Sequence, residues 1–220
     1  MARNCIASID LNALKNNYLY AKSLSPQSNA IAIIKANAYG HGAVTVAGAL
    51  SGASALAVSR VSEAVQLREA GISGDICLLN GVMNREDLNL ASIYELQVVV
   101  HAEEHIELLA RAGARRNIWL KVDTGMGRLG FATVQLQHVY ERLTGQKLLG
   151  LMTHFACADD PGSNGTEDQL KRLQTVSQAL KTVHPAFGVL STSNSAAVMT
   201  HPGSCLDWVR PGLMLYGASP

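Results

Sequence analysis

The residues of this sequence best placed to do chemistry are cations at the ends of short apolar runs. Lys35 directly follows Ile31-Ala32-Ile33-Ile34, and Lys121 and Asp123 close the run that starts at Ile118. Thr153-His154 follows Leu148 to Met152, Arg210 follows Trp208-Val209, and Arg128 stands in the turn after Asp123. Burial disfavours an ammonium, so a lysine rising from a dry floor has a lowered pKa, and the neutral amine can form a Schiff base. Asp123 is the only acid in this set, which therefore suits an anionic ligand. Ser195, in Ser193-Asn194-Ser195-Ala196-Ala197, and Gly212, in Arg210-Pro211-Gly212-Leu213, offer a hydroxyl and a close backbone approach for a phosphate. A helix N-cap and an ordinary turn are the alternative for that pair.

Other groupings carry less. Gly125-Met126-Gly127-Arg128-Leu129-Gly130 matches the dinucleotide pattern G-x-G-x-x-G, but the next apolar run ends in Thr153-His154 and not in the acid that a ribose requires. Its glycines are expected to shape a turn that aims Arg128 inward. Ser195, His154 and Asp123 lack the G-x-S-x-G context of a hydrolase nucleophile. His41 reads as a structural imidazole, and Arg111, Arg115 and Arg116 as a solvated helix C-terminus.

Positioning such groups requires a scaffold. The 220 residues are 48% hydrophobic, with 18 basic and 17 acidic residues. A chain of this length buries roughly 70% of the surface its unfolded form exposes. A net charge of +1 excludes a protein that binds nucleic acid through a basic field, and the apolar fraction excludes a disordered tail. There is no run long enough to cross a membrane and no apolar core of a secretory signal at the start. Cys5, Cys77, Cys157 and Cys205 form no Cys-x-x-Cys pair, so no metal site is expected and free thiols in a reducing cytoplasm are.

Eight short apolar runs recur: 31–34, 55–58, 76–79, 96–100, 118–122, 148–152, 187–190 and 208–210. Their near-continuous apolarity predicts strands covered on both faces, as in a parallel sheet. Helices are expected between them, including 60–70 before Gly71, 103–112 before Gly113, and one opened by a Thr166 to Gln169 capping box. Eight such units suggest an α/β fold of TIM type, a (β/α)8 barrel, with a doubly wound open sheet as the competitor. Residues 159–165 read as a surface loop.

Ile33-Ile34-Lys35-Ala36-Asn37-Ala38-Tyr39-Gly40-His41-Gly42 resembles the pyridoxal-phosphate lysine motif of the alanine racemase family. The resemblance continues in family order through residues 121–130, Thr153-His154-Phe155-Ala156, Asn194-Ser195 and 207–212. It implies a cytoplasmic, homodimeric isomerase that uses pyridoxal 5'-phosphate to interconvert L-alanine and D-alanine by two-base proton transfer. Its product would serve cell-wall peptidoglycan or alanine catabolism. Neither nucleic acid nor membrane is implied as a partner. By the same resemblance, Lys35 carries the cofactor and acts as one base. Arg128 contacts the cofactor phenolic oxygen and the substrate carboxylate, and Arg210 faces the pyridine nitrogen. Tyr39, Ser195, Gly212 and Leu213 hold the phosphate, with His154 near the ring, and Asn194 belongs to the same cofactor-binding set. Lys121 matches a lysine carbamylated in some members, an unmodified lysine paired with Asp123 being the alternative.

The family's opposite-face base is a tyrosine of a C-terminal β domain in the partner subunit, and no residue here matches it. The expected organisation is therefore 1–10 as an N-terminal strand that associates with that missing domain, its strand being Cys5 to Ile9, and 11–220 as the cofactor-binding barrel. Such a chain would carry the lysine base and cofactor site only and be poorly active alone. Two rivals share the fold. A non-catalytic pyridoxal-phosphate homeostasis barrel lacks the Asn-Ala-Tyr-Gly-His-Gly continuation, and a pyridoxal-phosphate lyase or decarboxylase places an acid where Arg210 stands.

Overall fold

The apolar runs assemble into one closed sheet. A computed structural model describes residues 6–184 and 187–220. Its strands are β1 (Asn29–Ile33), β2 (Ala55–Val58), β3 (Ile76–Leu78), β4 (Gln97–Val100), β5 (Asn117–Asp123), β6 (Phe131–Ala132), β7 (Lys147–Met152), β8 (Leu190–Ser191) and β9 (Trp208–Val209). All pairings are parallel, in the order β4-β3-β2-β1-β9-β8-β7-β5, and β4 also pairs with β5. That last pairing closes the ring and makes the fold a (β/α)8 barrel. β6 stands apart, pairing only with the top of β5.

The helices are α1 (Leu11–Leu24), α2 (Ala43–Ala49), α3 (Val61–Glu69), α4 (Arg85–Ile93), α5 (Glu103–Ala112), α6 (Leu136–Arg142), α7 (Gly165–Val183) and α8 (Ser195–Thr200). Asp10 caps α1, its carboxylate accepting from Asn12 and Ala13 N–H at 2.9 and 3.0 Å. Helix α1 docks beside the 3-10 turn Leu213–Tyr216, where Asn17 Nδ2 donates to the Leu215 carbonyl at 3.1 Å. No described helix is long and apolar enough to cross a membrane.

A strand's period of two decides what faces where. Ile31, Ile33, Ala55, Ala57, Cys77, Val99, Trp119 and Met152 form the barrel interior, while Ala30, Ala32, Ile34, Ile118, Leu120 and Val122 pack outward against helices. In β7 an extra residue, Leu149, falls between the partners of Ile118 and Trp119, and this bulge restores inward parity for Met152. Trp119 and Trp208 meet edge to face at 5.8 Å, and Trp119 Nε1 donates to buried Gln97 at 2.8 Å. They form the floor on which the rim stands.

Two expectations need correction. The run 187–190 contributes only β8, because Phe187 folds back with its N–H on the His184 carbonyl and its ring on Tyr140. Thr166 and Gln169 form no capping box: α7 starts at Gly165, Thr166 Oγ1 is buried without a partner, and Gln169 turns toward the rim. Cys5 lies outside the described residues, and residues 6–10 pair with no described strand, Ile6 being 85% exposed.

Candidate active site

Inward parity puts Lys121 above Trp119 within β5, and continued past the strand ends it puts Lys35 above Ile33, His154 above Met152 and Arg210 above Trp208. With Arg128 and Tyr39 they line one cavity of about 620 Å³ at the C-terminal mouth of the barrel. Asn194, Ser195, Gly212 and Leu213 line it too, so every expected site residue meets there.

Lys35 leaves β1 into an unusual turn. Ala36, Asn37, Ala38 and Tyr39 all have φ between 52° and 54°. Left-handed backbone costs L-residues roughly 1–2 kcal/mol each, so four in succession need outside support. Glu63, at the third position of α3, supplies it. One carboxylate oxygen accepts from Ala36 and Asn37 N–H at 2.6 and 3.4 Å. The other accepts from Ser59 and Arg60 N–H at 2.9 and 3.0 Å, capping α3. Burial holds the Lys35 amine below its ordinary pKa, with Arg128 acting the same way and Glu63 opposing both.

Lys121 is buried, and its pKa falls to about 8, through burial first and then the charges of Arg210, Arg128 and Lys35. The expected alternative, an ion pair with Asp123, does not form. Asp123 spends its carboxylate on the N–H groups of Gly125, Met126 and Gly127, at 2.9 to 3.1 Å. Gly125, Gly127 and Gly130 all have positive φ, which accounts for the G-x-G-x-x-G match by turn geometry alone. The turn brings Arg128 to the cavity wall, exposed and without a hydrogen bond to another described residue.

Arg210 is 4% exposed, and no carboxylate pairs with it among the described residues. It donates instead to Ser191 Oγ at 2.6 Å, to the Thr192 carbonyl at 2.9 Å and to the Thr153 carbonyl. Burial lowers its pKa to about 10, leaving the guanidinium charged at neutral pH. His154 Nδ1 lies 3.4 Å from Arg210 Nη2, and burial with that charge pushes the imidazole down to about 2. A neutral His154 can accept from Arg210. A buried, unpaired guanidinium opening on a cavity points to a ligand acceptor there.

At the other end, Ser195 Oγ accepts from Gly212 and Met214 N–H at 2.9 and 3.3 Å. A Cβ on Gly212 would meet Tyr39 Oη at 3.1 Å, so glycine lets the phenol close over this wall. Asn194 lines the cavity and also caps α8, its carboxamide oxygen accepting from Ala197 N–H at 3.0 Å. His41 is structural as expected, with Nδ1 on the Ala38 and Tyr39 carbonyls and its ring on Tyr216. Asp123, His154 and Ser195 share no hydrogen bond, so they form no hydrolase triad. Arg116 is partly tied down, donating to Ser92 Oγ and the Ala114 carbonyl.

Two supporting residues escape sequence reasoning. Glu63 reads as an ordinary helix-start acid. Gln169 joins the turns after β5 and β7, donating to Thr124 Oγ1 at 3.1 Å and the His154 carbonyl at 2.9 Å. Neither positioning role has a sequence signal, since Ala36 and Asn37 lie 27 and 26 residues from Glu63, and Thr124 lies 45 from Gln169.

Comparison with known proteins gives a consistent picture. Residues 9–220 match the profile of the alanine racemase N-terminal domain. An alanine racemase of Halorhodospira halophila is 43% identical over all of this chain, which spans 61% of that protein. One from Coxiella burnetii is 41% identical over 97% of the chain and 59% of its own length. The crystal structure of a biosynthetic alanine racemase from Pseudomonas aeruginosa superposes with a TM-score of 0.88 at 41% identity, over 96% of this chain and 59% of that one. The Clostridium difficile enzyme also gives 0.88, at 31% identity, over 98% and 60%. The chain thus spans about three fifths of the relatives it matches.

Proposed function

The chain belongs to the alanine racemase N-terminal domain family, and on that premise we propose that it carries the cofactor site and the lysine base of an amino-acid racemase. The reading rests above all on Lys35, Arg210 and the Ser195–Gly212 wall facing one cavity, with a buried guanidinium that no carboxylate of the described residues neutralises.

These residues fit pyridoxal 5'-phosphate. Lys35 offers an amine with a lowered pKa, as carbonyl capture requires. Ser195 Oγ and the Gly212 and Leu213 backbone, under Tyr39, would receive the phosphate, and Arg210 would donate to the ring nitrogen. An arginine cannot hand over a proton as a carboxylic acid would. When bound, the cofactor supplies an electron sink that makes the α-hydrogen of an amino acid acidic.

The chain's own groups would do the rest. Lys35 Nζ would take or return the proton on one face of the α-carbon. Arg128 would hold the substrate carboxylate, its exposure leaving it free to do so. Neutral His154 would accept from Arg210 and hold that guanidinium in place. Lys121, with an amine half neutral near pH 8, would add carbon dioxide through its nitrogen, lose one N–H proton to solvent and become the carbamate anion that orients Arg128. The opposite-face acid/base would come from a tyrosine of a partner subunit's further domain, outside these residues. Alanine as substrate, the homodimer and the cytoplasmic setting belong to the same proposal.

The experiment is reduction with borohydride in the presence of pyridoxal 5'-phosphate, followed by mapping of the pyridoxyl adduct. The adduct should sit on Lys35, and its absence there overturns the assignment. The 220-residue chain should racemise alanine poorly beside a two-domain homologue.

A further inference from the structure

We infer that Glu63 is a positioning residue for Lys35, its one carboxylate joining the start of α3 to the left-handed turn and facing the amine with negative charge. The inference rests on the reading of Lys35 as the cofactor lysine, and it adds a residue to which neither the motif nor the relatives assign a role.

The geometry carries it. A carboxylate has two oxygens and about four acceptor directions, and Glu63 uses them on four backbone N–H groups from two separate elements. Two of these donors, Ala36 and Asn37, immediately follow Lys35 and sit in backbone that alanine and asparagine adopt only at a cost. Other bonds steady the same segment. Tyr216 Oη donates to the Ile33 carbonyl at 2.9 Å, and Asn37 Oδ1 accepts from Ala43 N–H at 2.8 Å. Glu63 is the charged member of this frame and bridges the first and second strand ends.

Its charge matters as well as its shape. The amine faces Arg128 from the turn after β5, Lys121 from β5 and His154 beyond β7. Glu63, from α3, is the acid acting on it. Glutamine cannot replace it, because an amide turns one NH2 toward donors whichever way it lies. Removing the charge also disfavours the ammonium, so the free amine should titrate at lower pH.

Three measurements on the parent chain and Glu63→Gln test this. Amide exchange at Ala36 and Asn37 should accelerate about tenfold, as loss of a charge-assisted hydrogen bond implies. The pH midpoint for acetylation of Lys35, read by peptide mass spectrometry against exposed Lys147, should move down. The yield of the pyridoxyl adduct at limiting pyridoxal 5'-phosphate, read above both midpoints so that the amine is neutral in each protein, should fall. A helix cap without a positioning role would change exchange at Ser59 and Arg60 but leave the Lys35 midpoint and adduct yield at parent values, and that result overturns the inference. If Glu63→Gln fails to fold, Glu63→Asp decides. It should hold the Lys35 midpoint near the parent value while exchange at Ala36 and Asn37 accelerates, and parental exchange there overturns the inference. An adduct elsewhere than Lys35 in the parent defeats the cofactor reading, while exchange and acetylation still decide the role of Glu63.

Discussion

Two turns present the two cations that flank the cavity, and they are built by opposite means. The turn carrying Arg128 bends at Gly125, Gly127 and Gly130, where positive φ costs little, and its carboxylate, Asp123, lies within four residues of every N–H it gathers. The turn after Lys35 bends through Ala36, Asn37, Ala38 and Tyr39 before the first glycine, and its carboxylate is 27 residues away. One conformation is a local property of its residues, and the other is imposed by tertiary contact. The imposed turn carries the proposed covalent lysine, and a residue held from outside is also fixed relative to the rest of the rim.

The largest expected effect is at Gly130. A Cβ there would lie 2.6 Å from the Asp123 nitrogen and 2.7 Å from the Val122 carbonyl carbon, neither of which can yield. Gly130→Ala should cost about 3 kcal/mol or more and lower Tm by roughly 10 °C. A loss under about 0.5 kcal/mol, read by thermal unfolding, would show that the backbone yields to the added methyl and that this turn is not fixed by its glycines.

Next comes Lys121, buried above the floor between the turns. Its folded pKa near 8 against about 10.4 unfolded means that at pH 7 burial of its charge costs the fold on the order of 3 kcal/mol. Between these values the unfolded chain holds a proton that the folded chain has released, so stability rises with pH. In buffer free of carbon dioxide, Lys121→Met should be more stable than the parent at pH 7 and lose that advantage by pH 10 to 11. Parallel urea-unfolding profiles would mean that the amine is compensated within the fold.

The same contrast explains which features are legible in the sequence. Apolar β-branched runs and two-residue parity are local, so eight strands, their barrel and the inward lysines can be read from it. Aspartate followed by spaced glycines likewise marks a turn through residue types alone. Ala36-Asn37-Ala38-Tyr39 marks nothing, because alanine favours a right-handed helix and its partner Glu63 is remote. Gln169 misleads for the same reason: its spacing from Thr166 is local, whereas its partner Thr124 stands 45 residues earlier. The pairing of Lys121 with Asp123 does not form because the nearer glycine N–H groups take the carboxylate first.

Asp123→Asn probes the local carboxylate. Burial raises the Asp123 pKa, but the N–H bonds of Gly125, Gly127 and Met126 outweigh it and leave the group below its ordinary value. A depressed carboxylate stabilises above its unfolded pKa of about 3.9, and that contribution is lost as pH falls through the lower folded value. Asn should therefore cost about 1.5–2 kcal/mol at pH 7, with the difference from the parent shrinking below pH 4. A difference that persists undiminished at low pH would assign the loss to shape and not to charge.

The smallest effect tests the strain itself. Ala36 is exposed, its φ is 52° and its side chain packs against little, so Ala36→Gly exchanges left-handed strain for chain entropy. Relief of roughly 1–2 kcal/mol against an entropic cost of about 0.5–1 leaves a net gain near 0.5–1 kcal/mol, or about 2 °C in Tm. The mirror change is Gly127→Ala, where φ is 69° and nothing lies within 4 Å of an added Cβ, so only the backbone term remains. It should lose about as much as Ala36→Gly gains. Opposite signs of similar size would show that both turns obey one conformational cost, met by glycine in the first and by Glu63 in the second. If Ala36→Gly destabilises instead, the turn after Lys35 depends on its alanine, and the contrast between the two turns lies in packing and not in backbone strain.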